Sequence, residues 1–282
     1  MSMIIDTHLH IVDQGAMRYP WLANAGPLNR NASYDDYARE ARQLGIQAVL
    51  HMEVDVADDD IDAETRYVVA VAARPDSLLV GAIASCRPEH ADFPAYLEKI
   101  ASNGVVKGLR RILHEMPDDL STSTLFRDNI KRLAGTGLTF DLVALPHQLP
   151  IVAELVDLAP DVQFILDHCG VPDIKSEAYD SWAANMAEIA RRPNLVGKLS
   201  GIIAYTNRET WTLDDIRPYA EHTIGCFGFD RMVWGSDWPV CTLAGSLSTW
   251  VGATHALLEG ASTEEKAKLL SGNAKRIWNL KV

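Results

Sequence analysis

The chain has 282 residues, of which 48% are hydrophobic and 23% charged, and carries a formal net charge of -12 at pH 7. That length can bury a large core, and so acidic a balance repels phosphate backbones and anionic lipid, which excludes nucleic acid and a membrane surface as expected partners. The start lacks a basic segment followed by an apolar one, and no apolar run reaches bilayer length, so a cytoplasmic protein is expected. Cys86, Cys169, Cys226 and Cys241 are scattered without a Cys-x-x-Cys pair, which points to buried reduced thiols.

The first apolar run, from Met3 to Thr7, leads into His8-Leu9-His10. A strand alternates faces with period two, so both imidazoles project to one side, where they can share a cation or a substrate oxygen. Taken alone, such a pair is as readily a chance surface feature as a site. By the same parity Asp6 is expected on the histidine face, deeper in the core, as a polar anchor.

Further short apolar runs follow at Ile46 to His51, Leu78 to Ile83, Val105 to Arg110, Thr139 to Val143, Gln163 to Leu166, Leu195 to Lys198 and Met232 to Trp234. With the first they make about eight, and most are continuous rather than alternating, as expected of parallel strands covered on both faces. Helical periodicity fills the gaps at Tyr34 to Leu44, Ile61 to Ala73, Phe93 to Ser102, Leu125 to Ala134, His147 to Leu158, Tyr179 to Arg191 and Leu213 to Cys226. Ser33 is a candidate N-cap, Thr212/Asp215 and Ser262/Glu265 have capping-box spacing, and the segment from Ser246 onward is expected to form two closing helices. No linker divides the chain. A doubly wound sheet would carry a glycine fingerprint after its first strand, where this chain has histidines. The expectation is a single (β/α)8 TIM-type barrel over residues 1–282.

In such a barrel the chemistry gathers at the C-terminal strand ends. His8 and His10, His51 and Glu53, Arg110 and Arg111, Asp141, His168, Lys198 and Asp237 all fall on or near those ends. Arg111, of opposite parity to Arg110, should point into the helical layer and pair with an acid. His90, His114, His147, His222 and His255 read as surface or capping residues.

Three segments, Asp6-Thr7-His8-Leu9-His10, Leu166-Asp167-His168-Cys169-Gly170 and Gly235-Ser236-Asp237-Trp238-Pro239, resemble the amidohydrolase superfamily in its branch of lactone hydrolases and related decarboxylases. Tyr19-Pro20-Trp21-Leu22, Val106 to Arg111 and Lys198-Leu199-Ser200-Gly201 are similar to the sugar-lactone hydrolases within it. The resemblance implies that His8, His10, His168 and Asp237 surround the reacting carbon. Three imidazoles and a carboxylate suit one divalent metal, zinc above all, or else polarise the lactone carbonyl directly. Strand five offers Asp141 and no histidine, and Lys107 sits short of the end of strand four, so a second metal is not expected.

Hydrolysis of a lactone needs an activated water, a stabilised oxyanion and a proton for the departing ring oxygen. Asp237 is the candidate base and proton donor, with His168 beside it. Arg110, Tyr19, Trp21, Lys198, Glu53 and Trp238 are candidate substrate contacts, although Lys198 equally suits a buried ion pair. Three functions follow: hydrolysis of a small-molecule sugar lactone, metal-dependent decarboxylation of an aromatic or unsaturated acid, or binding without catalysis on a barrel scaffold.

Overall fold

The computed structural model describes residues 3–176 and 178–282. Its eight strands are β1 (Ile4–Leu9), β2 (Ile46–Met52), β3 (Leu79–Ser85), β4 (Val106–Ile112), β5 (Thr139–Val143), β6 (Phe164–Leu166), β7 (Leu195–Ser200) and β8 (Met232–Gly235). They lie parallel in the order β1 to β8. Between them run α1 (Tyr34–Gln43), α2 (Ile61–Ala72), α3 (Phe93–Ala101), α4 (Thr124–Lys131), α5 (Leu149–Leu158), α6 (Tyr179–Ile189) and α7 (Leu213–Phe227). After β8 come α8 (Leu247–Leu257) and then α9 (Thr263–Ala267), which a π-helical turn at Lys268–Gly272 joins to α10 (Asn273–Trp278). The sheet curls until Leu9 bridges Trp238, and the result is a (β/α)8 barrel.

The strands are apolar on both sides because both sides are covered. Ile5, Leu50, Ile83, Ile165, Val196 and Val233 fill the barrel interior, with Trp278 and Leu280 in the same cluster. The Trp278 indole donates to Thr139 Oγ1 at the start of β5 (3.1 Å), so the C-terminal helix seals the end opposite the histidines. The outer faces pack on the helices through residues such as Val49, Phe140, Phe164 and Leu199. Ser33 caps α1 by accepting from the Asp36 amide, and Ser262 and Glu265 make the expected reciprocal pair at α9.

Strict alternation fails in β1. Its pairing with β2 slips between Asp6 and Leu9, where three steps on β1 face two on β2, so Ile5 and His8 both turn inward although three residues apart. Asp6 therefore leaves the histidine face. Its Oδ2 accepts from the Tyr37 hydroxyl of α1 (2.6 Å), and its Oδ1 accepts from the backbone amides of His8 (3.0 Å) and Ser236 (2.8 Å). The anchor expected inside the barrel is a clasp across the β1–β8 seam. The seam is completed by His10 N to Trp238 O (2.8 Å) and Asp237 N to His8 O (2.9 Å).

Tyr37→Phe leaves one oxygen of a fully buried carboxylate without its donor. The expected loss is about 1.5–3 kcal/mol of unfolding free energy, read as a lower urea midpoint; an unchanged midpoint shows that the clasp does not hold the seam.

Candidate active site

At the end of β1, His8 Nε2 and His10 Nε2 lie 3.2 Å apart. His10 Nδ1 sits 3.0 Å from the Met52 carbonyl oxygen and 3.1 Å from that of Glu53. Both partners only accept, so Nδ1 carries a proton and Nε2 is the nitrogen turned toward His8 and Asp237. Asp237 follows β8 with its backbone at φ +56°, and its Oδ1 stands 3.3 Å from His10 Nε2 and 3.6 Å from His8 Nε2. Its position also depends on Gly201, at φ +53°, because a Cβ there would lie 2.4 Å from Asp237 Cβ.

His168 reaches the same place by a different route. β6 stops at Leu166, and His168, Cys169, Gly170 and Val171 follow at φ values of 53°, 52°, 67° and 45°, one turn of left-handed backbone. Each non-glycine residue there costs about 1–2 kcal/mol. The turn is held by Val171 N to His168 O (3.0 Å) and by the Trp182 indole donating to Cys169 O (2.8 Å). Ser200 fixes the ring, its Oγ 2.9 Å from His168 Nδ1, and the His168 ring centre lies 4.5 Å from that of His8.

Beneath the imidazoles is a dry layer of charge. Lys198 Nζ contacts Asp141 Oδ2 at 2.6 Å and Asp167 Oδ1 at 2.7 Å, with no part of the three side chains exposed. Arg110 Nε donates to Glu53 Oε1 (2.6 Å), while its Nη1 faces Asp167 Oδ2 and His8 Nε2, both at 3.4 Å. Burial lowers the pKa of His8 well below its usual value and also lowers that of His168, which favours neutral rings. Burial would raise Asp167, but Lys198 and His8 hold it well below the ordinary carboxylate range. Asp141, desolvated and beside Asp167, is pushed up to about 7 against the pull of Lys198.

The remaining expected contacts lie further out or are already engaged. Lys198, Arg110 and Glu53 are buried in the charged layer. Tyr19 is buried, its hydroxyl accepting from the Asp13 amide, and Trp21 donates to the Val54 carbonyl oxygen. Trp238 stacks obliquely on Tyr37 in the helical layer. Arg111 pairs with Glu89 at 2.8 Å, as its parity requires, and His51 faces Glu64 at 3.3 Å. Sequence alone gives Asp167 and Ser200 no role. The available signal was position, since each flanks a residue already singled out at a strand end.

The amidohydrolase family profile matches residues 5–280. This chain belongs to the amidohydrolase family. It is 26% identical to L-fucono-1,5-lactonase of Burkholderia ambifaria over 287 residues, covering 99% of this chain and 97% of that protein. L-rhamnono-gamma-lactonase of Scheffersomyces stipitis is 21% identical over 98% of both chains. Among solved structures, a Burkholderia multivorans amidohydrolase with bound zinc superposes with a TM-score of 0.89 at 24% identity, over 99% of this chain and 100% of that one.

The site of this amidohydrolase has a donor set that fits one metal ion. Ligand atoms of His8, His168 and Asp237 all lie within 4.8 Å of one another. His10 adds a third imidazole, with contacts of 3.2–3.6 Å among His8, His10 and Asp237, and nitrogen and carboxylate donors so close together suit a divalent cation. Charge agrees, because Glu53, Asp141 and Asp167 are ion-paired with Arg110 and Lys198, whereas Asp237 has only histidines as ion-pair partners among the described residues.

Gly201→Ala tests how tightly Asp237 is placed. Its Cβ forces Asp237 to move, and a displacement near 1 Å is expected to lower kcat/KM about 100-fold while far-UV circular dichroism stays that of the wild type. Full activity shows that Asp237 has room to spare.

Proposed function

We propose that this amidohydrolase opens a sugar-derived lactone by hydrolysis. The observation that carries the reading is the approach of the Asp237 carboxylate to two imidazole Nε2 atoms at the barrel's C-terminal end, in a chain similar over its length to L-fucono-1,5-lactonase. Such a carboxylate is placed to take a proton from water as its oxygen attacks the carbonyl carbon. The ring C–O bond then breaks, and Asp237 returns the proton to the departing alkoxide, so no covalent enzyme intermediate is needed.

His8, His10, His168 and Asp237 would hold the divalent metal, zinc being the first choice for this donor set. The chemistry it supplies when bound is polarisation of the carbonyl oxygen and a lowered pKa of water. The protein's own part is orientation. The Met52 and Glu53 carbonyls keep His10 Nε2 aimed at the centre, Ser200 steadies His168, and Asp167 and Lys198 stand behind His8 Nδ1 at 3.5 and 3.4 Å. Arg110 Nη1 lies 3.4 Å from His8 Nε2, the ring nitrogen that faces His10 and Asp237, and with Glu53 would border the bound lactone.

A pH-indicator screen of purified protein across five- and six-membered aldonolactones, with metal content measured and the screen repeated after chelation, tests the reading. At least one sugar lactone is expected to open, and Asp237→Asn to lower kcat by about 100- to 10,000-fold. Wild-type activity in Asp237→Asn removes the proposed base. Release of carbon dioxide from an aromatic or unsaturated acid, with every lactone left intact, replaces the hydrolase by a lyase.

A further inference from the structure

The loops after β4, β5, β6 and β7 wall a cleft of about 1090 Å³ on the C-terminal face of the barrel. Two of its side chains differ from the polar groups described above. His114, two residues beyond β4, has a buried Nδ1 with no hydrogen-bond partner among the described residues, and its Nε2 has only Glu115 Oε1 at 3.6 Å. Tyr205, just beyond β7, meets the His168 ring edge-on at a centroid distance of 6.0 Å, and its hydroxyl has no hydrogen-bond partner among the described residues.

Buried polar atoms are nearly always paired, and one that the protein leaves unpaired in the wall of a cleft can take its partner from a ligand. The alternatives near the centre are engaged: His10 by two carbonyls, Arg110 by Glu53, Lys198 by two aspartates. Burial, with Arg110 and His168 nearby, lowers the His114 pKa to about 4, so at neutral pH the ring both donates and accepts. A tyrosine hydroxyl does the same. These are the capacities that reading an alcohol requires. A volume near 1090 Å³ also leaves room for a ring bearing several substituents.

We propose that His114 and Tyr205 are the specificity-determining pair of this amidohydrolase, hydrogen-bonding the hydroxyl groups of a polyhydroxylated lactone in the cleft while its carbonyl meets the His8, His10 and Asp237 cluster. The assignment rests on the lactonase reading. Neither residue touches the reacting atoms; the pair selects which ring is presented to them.

The test compares kcat/KM for a polyhydroxylated aldonolactone with that for the unsubstituted lactone of the same ring size. In His114→Phe and in Tyr205→Phe, the ratio of the two is expected to fall about 10- to 100-fold from wild type, mainly through KM for the hydroxylated substrate. His114→Gln, which keeps a donor and an acceptor, is expected to recover part of it and carries the comparison if His114→Phe does not fold. A ratio within about twofold of wild type in every variant, whether both activities fall together or neither does, overturns the assignment and leaves the lactonase reading intact. A wild-type enzyme that opens neither lactone overturns that reading as well.

Discussion

A barrel built from a linear chain must close on itself, and here the closure and the reactive centre share the same hydrogen bonds. Asp6 accepts from Tyr37 on α1, from the His8 amide on its own strand and from the Ser236 amide beyond β8. The His8 and Trp238 carbonyls then receive the Asp237 and His10 amides. These contacts fix where His8, His10 and Asp237 begin, before their side chains choose a direction. A charged acceptor suits the task, because one carboxylate takes several donors at once and each bond to it is stronger than one to a neutral oxygen. The slip in β1 is a consequence: two inward positions three residues apart let Asp6 face the helices while His8 faces the centre.

Below that seam the barrel holds ions that water would otherwise solvate. Lys198 between Asp141 and Asp167, and Arg110 between Glu53 and Asp167, form a linked layer. A buried ion keeps its charge only while its partners are in place, and removing one of them typically costs about 3–5 kcal/mol. The layer therefore fixes protonation states above it. Asp167, kept anionic by Lys198, stands behind His8 Nδ1, while burial of the rings favours neutral imidazole, the form able to coordinate a cation or accept a proton.

The sequence conveys some of this plainly. His-x-His at a strand end, alternation at Arg110 and Arg111, continuous apolar strands and serine caps are local patterns with local causes, and each appears in the structure as read. What escapes is set by geometry at longer range or by backbone without regular period. Parity arguments assume an unbroken strand, so the slip in β1 carried Asp6 to the other face. The partners of Lys198 lie 57 and 31 positions away in the chain, on β5 and just beyond β6, where no spacing rule reaches. His114 reads from sequence as a surface or capping residue because a strand pattern says nothing about where the chain heads once the strand ends.

The left-handed turn at His168 shows why such sites resist prediction and also what they require. Only Gly170 in this run signals positive φ, a region usually left to glycine or asparagine; His168, Cys169 and Val171 around it carry no such sign. Such backbone persists only where its surroundings dictate it. Here they do so from β7. Ser200 holds the His168 ring and accepts from its amide at 3.2 Å, and the next residue, Gly201, gives Asp237 the space in which to sit at its own positive φ. Two residues at the end of one strand thus support reactive groups on both neighbouring strands. The Lys198-Leu199-Ser200-Gly201 segment matters to this site as a strut: its lysine anchors the charged layer, its serine steadies His168, and its glycine admits Asp237.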